Sequence, residues 1–417
     1  MIPAQTICRR RDNCRLCSRS ELRNVLSLTP IPLANAFVTH DEVSVTQPRF
    51  PLDLWLCASC GHVQLLDVID SKVLFEHYVY VSGTSPAFVR HFEQYASYVL
   101  ERFACADRGL IVEIGSNDGT LLKFFRDRGR RVLGVDPARE IGDAARHQGV
   151  PTITAFFGPQ LADAIVAEHG HADVVCANNV LAHIDDLDSV IRGVARLLAP
   201  AGVLVFEAAY LADLVENTLF DTIYHEHIDY HSVGPLIPFL ARHGLQLIEA
   251  TRVDTHGGSI RCVAQRVRGP HPVGESVGKA VKLEQQLGLA EATTYQAFAK
   301  HIDKLGAELG ALLRQLVAQG KRIAGFGAPA KATTLMYHLG IAPEMIEFVV
   351  DDSPLKQGRF TPGMHIPVLP AKAIYERRPD YLLLLAWNFA KPIIDKHGAF
   401  RDAGGHFIVP LPRVEVL

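Results

Sequence analysis

No uninterrupted apolar stretch in the 417-residue chain reaches the roughly 18 residues that a membrane helix requires. The N-terminus, beginning Met1-Ile2-Pro3, lacks the apolar core of a secretory signal. The sequence therefore predicts a cytoplasmic protein with no membrane partner, in a compartment where thiols stay reduced. An excess of one charge is also missing. Lys and Arg number 42 against 45 Asp and Glu, interspersed along the chain, for a formal net charge of −3. That excludes the basic face on which nucleic-acid binding usually depends, while leaving room for a local basic pocket that takes a small anion. What remains is an ordinary globular composition, 48% hydrophobic and 21% charged. The length suffices for two or three domains of roughly 100–200 residues each, with cores large enough to need no staples.

Four of the eight cysteines form two C-x-x-C pairs, Cys14-Arg-Leu-Cys17 and Cys57-Ala-Ser-Cys60. Two such knuckles let four thiolates converge on one zinc ion, and four thiolates leave no open coordination position, so the metal would be structural. Gly61, directly after Cys60, suits a tight knuckle because glycine tolerates positive φ. The pairs are far apart in the chain, which requires a β-rich segment over residues 31–56 to close the distance. Buried free thiols or a redox pair are the alternatives. Cys8, Cys105, Cys176 and Cys262 fall outside the pattern and read as small apolar residues.

Residues 110–207 alternate short apolar runs with helical stretches, the signature of βαβ units and a parallel sheet. Gly109–Ile114 is the first run and turns through Gly115-Ser-Asn-Asp-Gly119 into a helix from about Thr120. The second, Arg131–Val135, ends at Asp136, where an acidic residue receives ribose hydroxyls in such folds. Later runs cover 172–177 and 203–206. A dinucleotide site also has a glycine loop and a downstream acid, but Glu113-x-Gly115-x-Asn117-x-Gly119 is not G-x-G-x-x-G. It resembles the first motif of class I methyltransferases, as Asn178-Asn179-Val-Leu-Ala-His183 resembles their cofactor cleft.

A second glycine loop, Gly325-Phe-Gly327-Ala-Pro-Ala330-Lys331, follows a strand and opens a helix. Strands over 348–352 and 381–386 complete another Rossmann-like unit. Its loop amides and helix N-terminus suit phosphates, with Lys331 adding charge; nicotinamide binding is the other reading of so weak a motif. Residues 275–320, rich in Ala, Leu, Gln, Glu and Lys without proline, predict long connecting helices.

Tyr224-His225-Glu226-His227-Ile-Asp229-Tyr230 concentrates titratable groups just beyond Glu207, which closes the last clear strand of the first sheet. Sites in α/β folds form at that edge. In an extended segment His225 and His227 would share one face, with Tyr224 and Glu226 on the other. A metal site and a plain polar loop are alternatives to catalysis. Upstream, Tyr78-Val-Tyr80-Val-Ser82-Gly-Thr-Ser85 reads equally as a strand and turn.

Taken together, these motifs give nearly the whole chain a resemblance to the nucleotide-sugar C-methyltransferase family, which includes dTDP-sugar 3-C-methyltransferases of deoxysugar biosynthesis. The resemblance implies an α/β protein in three parts: a zinc-binding domain over 1–75, a class I methyltransferase domain over 76–268, and a helical linker with a C-terminal Rossmann-like nucleotide-sugar-binding domain over 269–417. It implies S-adenosylmethionine as cofactor, held by Gly115, Asn117, Gly119, Asp136 and Asn178, and structural zinc on Cys14, Cys17, Cys57 and Cys60. It implies an active site of Tyr224, Glu226 and His227 with His183 and Tyr80 nearby. Tyr78 competes with Tyr80 for the family tyrosine and otherwise joins Gly327 and Lys331 on the substrate. The implied substrate is a nucleotide-linked 4-keto-6-deoxysugar methylated at C3. Oligomeric state is left open, and a monomer is compatible with the sequence.

Carbon methylation needs a carbanion equivalent, which a C–H beside a ketone supplies as an enolate. His227 is then the expected base, oriented by Glu226, with Tyr224 or His183 donating to the enolate oxygen. Rival readings are an O- or N-methyltransferase acting on another metabolite, a zinc-ribbon regulator that senses a nucleotide, and a nicotinamide oxidoreductase using the Gly325 loop.

Overall fold

A computed structural model describes residues 7–76, 81–84, 86–103, 108–255 and 257–417. Near the N-terminus lie strands β1 (Cys8–Arg10), β2 (Leu22–Ile31), β3 (Phe50–Cys57), β4 (Val63–Leu65) and β5 (Asp67–Ile69). In β3 the apolar side chains of Phe50, Leu52, Leu54 and Leu56 are buried while alternate positions are more exposed, the period-two pattern of a strand with one face on a core. β2, β3 and β4 pair antiparallel, which brings the two C-x-x-C pairs together; β1 and β5 form a separate ribbon.

Next come β6 (Leu110–Ile114), β7 (Arg131–Val135), β8 (Thr152–Ile153), β9 (Ala172–Asn178), β10 (Leu198–Ala209), β11 (Asp229–Tyr230), β12 (Leu245–Val253) and β13 (Ser259–Arg266). All but β11 form one sheet in the order β12-β13-β10-β9-β6-β7-β8. β8, β7, β6, β9 and β10 run parallel, and β13 is wedged antiparallel between β10 and β12. This is the class I methyltransferase arrangement expected from the loop motif. Central β6 is buried at every position, as a parallel strand covered on both faces must be. From β6 the chain winds outward through β7 and β8, then returns to start β9 on the other side. That reversal opens a crevice at the C-terminal ends of β6 and β9, where ligands of open α/β sheets bind. β11 leaves this sheet and pairs with β4, so the chain after His227 becomes an edge strand of the N-terminal sheet.

The expected linker helices are Glu275–Gln286 and Ala292–Ala318. The longer one buries Tyr295, Phe298, Ile302, Leu305, Leu309, Leu313 and Leu316, a stripe at helical spacing. Beyond it, β14 (Ile323–Phe326), β15 (Val349–Val350), β16 (Val368–Leu369), β17 (Tyr381–Leu384), β18 (His406–Val409) and β19 (Glu415–Val416) form a sheet in the order β16-β15-β14-β17-β18-β19, parallel except for the last strand. A continuous apolar cluster, including Leu54, Phe206, Tyr230, Leu305 and Leu335, joins all three sheets. Among the described residues no helix is long and apolar enough to cross a membrane.

Candidate active site

The sulfurs of Cys14, Cys17, Cys57 and Cys60 all lie within 4.8 Å of one another, with Cys14–Cys60 at 3.6 Å and Cys17–Cys57 at 3.5 Å. A tetrahedron with Zn–S bonds of about 2.3 Å has edges of about 3.8 Å, so the set fits zinc. Both knuckles close alike. Ser18 N donates to Cys14 O and Gly61 N to Cys57 O, each at 2.9 Å, and both donors adopt positive φ (61° and 79°).

At the crevice of the central sheet, Gly115 has φ +68°, and a Cβ there would lie 2.1 Å from Val180 Cγ2. Glycine is required, and the backbone is left close to whatever fills the crevice. Asp136 is buried. Its Oδ2 accepts from Asn117 N and its Oδ1 from Ala138 N, both at 2.8 Å. A carboxylate has about four acceptor positions, so capacity remains for ribose hydroxyls. Both amide atoms of Asn178, and Glu113 Oε2, are buried with no hydrogen-bond partner among the described residues. Such atoms carry a desolvation cost that a polar ligand in the crevice relieves. Burial, reinforced by Asp118 and Asp136, pushes the Glu113 carboxyl well above the usual range. Asn117 lines the crevice, and its Oδ1 accepts from Ser82 N at 2.9 Å. Gly119, at φ +75°, caps the following helix, Thr120–Arg126.

From this crevice a cavity of about 1640 Å³ runs past Asn178, His183, Tyr224 and His227 to Lys331, Lys356 and Phe389 of the C-terminal sheet. Pockets for one drug-sized ligand are about 300–1,000 Å³, so this cavity has room for two.

Tyr224–His227 is not extended. His227 N donates to Tyr224 O at 2.8 Å, a turn that places side chains three apart against each other. The expected pairing of His225 with His227 is therefore replaced by Tyr224 with His227, at 2.9 Å from Tyr224 Oη to His227 Nε2. The ring is not oriented by Glu226. His227 Nδ1 donates to the Thr222 carbonyl at 2.8 Å, while Glu226 Oε1 accepts from Asn35 Nδ2 at 2.7 Å. With Nδ1 protonated, Nε2 of the neutral ring is the acceptor, and Tyr224 donates to it. His183 stacks on His227 with ring centroids 5.0 Å apart and planes 12° from parallel. His225 packs edge-on against Phe50 and donates to Pro51 O; burial pushes its pKa down to about 4. Tyr78 and Tyr80 lie outside the described residues.

In the C-terminal sheet, Lys331 lines the cavity, but its Nζ is 3.5 Å from Asp221 Oδ2 and 4.2 Å from the centre of the Trp387 ring. Gly327 makes no wall of the cavity. A Cβ there would be 2.5 Å from Ala386 Cβ, so glycine serves packing against the loop after β17. The loop amides already have partners, Gly327 N on Val350 O and Ala328 N on Asp351 Oδ2, both at 2.7 Å. Lys356 also reaches this loop, donating to Ala328 O at 2.9 Å.

Residues 14–75 match a zinc binding domain family, residues 88–250 a methyltransferase domain, and residues 254–412 the C-methyltransferase C-terminal domain. Over 413 residues the chain is 39% identical to the C-methyltransferase NovU of Streptomyces niveus, covering 99% of this chain and 98% of that protein. The chain belongs to the C-methyltransferase family. It is thus an S-adenosylmethionine-dependent methyltransferase with a four-cysteine zinc site. The likeness to a ubiquinone biosynthesis O-methyltransferase of Methylobacterium sp. (strain 4-46) is confined to 94 residues at 31% identity, 22% of this chain and 38% of that protein. Among solved structures, the PH0226 protein of Pyrococcus horikoshii OT3 is similar over 47% of this chain and 98% of its own, at 17% identity and a TM-score of 0.36.

Several site residues of this C-methyltransferase carry no signal in the sequence. Asn35, in a loop, and Thr222, at the end of a short 3-10 helix, hold Glu226 and His227 from segments with no motif. Lys356 reaches the cavity from the loop after β15; burial lowers its pKa, opposed by Asp351 and Glu226. His91 and Arg261 also line the cavity and converge on buried Glu207, at 2.7 Å and 2.6 Å.

Proposed function

We propose that this C-methyltransferase transfers a methyl group to a carbon, C3, of a nucleoside-diphosphate 4-keto-6-deoxysugar. The observation that carries the reading is the cavity, which joins the methyl-donor crevice, the Tyr224–His227 pair and the C-terminal sheet in one space with volume for two ligands. A compact acceptor would need only the first two. A nucleotide-linked sugar reaches the third, where Lys356 supplies a cation beneath the nucleotide part and Lys331, paired with Asp221, forms part of the wall. The cofactor, when bound, supplies an electrophilic methyl on a sulfonium.

His227 Nε2 takes the proton from C3, and the C–H electrons become the enolate's. Tyr224, which in the free protein donates to Nε2, turns its O–H to the enolate oxygen as the substrate enters. His183, stacked on His227, holds the ring plane and offers a second donor. Gly115, Asp136 and Asn178 would hold the methyl donor in the adjoining crevice, so that its methyl would face the carbon that His227 deprotonates. Positioning and a preorganised donor are the protein's contributions. The division into zinc-binding, methyltransferase and substrate-binding parts over 1–75, 76–268 and 269–417 follows from the same reading.

The test is mass spectrometry of products after incubation with methyl-labelled S-adenosylmethionine and a panel of dTDP-, GDP- and CDP-4-keto sugars. The expected product carries the label on carbon. A label on oxygen or nitrogen, or none with any sugar, overturns the reading.

A further inference from the structure

We infer that Arg15, which lies between two of the zinc ligands, is the positioning residue that holds the His183–His227 stack in register; the inference rests on the proposed role of those histidines. The Arg15 side chain is fully buried. Its Nη1 donates to Gln64 Oε1 at 3.0 Å and to Leu65 O at 2.6 Å, which fixes the guanidinium on the zinc-bearing sheet. Its other contacts reach the two histidine segments, one outside that sheet and one entering it as β11. Nε donates to Asp185 Oδ1 at 3.0 Å and lies 3.7 Å from Asp229 Oδ2, while Nη1 is 3.5 Å from Ile228 O. Asp185 follows His183 by two residues, and Ile228 and Asp229 follow His227 directly.

The two histidine segments are also tied to each other, since Ile228 N donates to Ala182 O at 2.8 Å. A planar guanidinium with donors in a fixed fork thus meets both segments from one rigid point, the knuckle closed by Cys14 and Cys17. Asp185 further accepts from Arg9 and Arg11, and Asp229 is held by His62 at 2.7 Å, so neither carboxylate turns freely. A shift of the stack by about 1 Å costs on the order of 100-fold in rate. The zinc domain, remote from the methyl donor by sequence, thereby acts on the geometry of the base.

The test uses the zinc-loaded full-length chain. Arg15→Lys keeps the charge and loses the fork; Asp185→Asn weakens the link to the His183 segment, together with the contacts of Arg9 and Arg11, and leaves the contacts to Ile228 and Asp229 in place. Both variants are expected to keep one zinc and wild-type affinity for S-adenosylmethionine. Their kcat should fall roughly 10–100-fold with little change in KM. The double variant should be no slower than the slower single one, because the Arg15–Asp185 link that Asp185→Asn weakens is already lost in Arg15→Lys. In 13C-histidine-labelled protein, the ring Cε1–H resonances of His183 and His227, assigned by His→Gln variants, should lose their mutual ring-current shift in Arg15→Lys. That readout requires no substrate, so it stands even if no keto-sugar is methylated, and it separates failure of this inference from failure of the proposed function. Unchanged resonances and kcat in folded Arg15→Lys overturn the inference, as does a fall in kcat that only tracks lost zinc. Were Arg15→Lys not to fold, Asp185→Asn decides on the same resonances and kcat.

Discussion

The Tyr224 hydroxyl donates to His227 Nε2 at 2.9 Å, while His227 Nδ1 is committed to the Thr222 carbonyl. The ring tautomer is thereby set with its basic nitrogen toward the cavity-lining tyrosine. His227→Asn should abolish methylation and leave S-adenosylmethionine affinity unchanged in calorimetry. Tyr224→Phe should slow turnover by about 10²–10³, the effect of removing one preorganised donor. Solvent deuterium should enter the substrate's C3 position in wild-type enzyme and not in His227→Asn. Near wild-type methylation by His227→Asn would move the base elsewhere.

Zinc should be present at one per chain. Four converging thiolates bind it with an apparent free energy on the order of 10 kcal/mol, which is folding free energy for the small sheet around it. Chelation under forcing conditions should therefore lower Tm and expose the Trp55 region to solvent. Elemental analysis and differential scanning calorimetry check both; a metal-free chain with the same Tm would count against the site.

Asp136→Ala should weaken S-adenosylmethionine binding by roughly 10–100-fold, since hydrogen bonds to a charged acceptor contribute about 1.5–3 kcal/mol. Part of the loss comes from the Asn117 and Ala138 amides, which would lose their acceptor. Titration calorimetry measures it, and an unchanged Kd would place the ribose contact on another residue.

Glu113 offers a pH test of stability. Its folded pKa is raised by burial, so the folded state keeps a proton that the unfolded chain releases above its ordinary carboxyl pKa. The contribution of this group to stability is complete below that pKa and is lost as pH rises toward the folded value. In ligand-free protein Glu113→Gln should raise Tm near neutral pH, with the gain shrinking as the pH falls toward about 4.3. A Tm difference independent of pH would show that the carboxyl ionises normally.

Breaking the buried Asp221–Lys331 pair should destabilise the fold by about 3–5 kcal/mol, because Asp221→Ala leaves a buried cation without a partner. Asp221 also accepts from Trp387 Nε1 at 2.6 Å, so its loss frees two groups of the C-terminal sheet at once. Urea unfolding monitored by tryptophan fluorescence reads the change; a difference under 1 kcal/mol would show the pair to be solvent-screened.

Local chemistry made much of this protein legible in its sequence. The spacing of Cys14–Cys17 and Cys57–Cys60, the Glu113–Gly119 loop, Asp136 and the apolar runs of β6, β7, β9, β14 and β17 each depend on neighbours within a few residues. What only the tertiary structure decided depends on contacts between distant segments. The glycines of the second loop looked like a phosphate cradle, yet Gly327 is there for Ala386, and Asp351 takes the next amide. Lys331 looked like a free cation, yet Asp221, more than a hundred residues earlier, pairs with it. Tyr224–His227 was legible as a reactive cluster but not as a turn, since nothing within the four residues says that the next ones pair with β4. That pairing comes from the zinc-bearing sheet, whose open edge accepts β11 and through it sets where His227 points. A side chain's identity is local, but its partner is chosen by packing, and packing is a property of the whole chain.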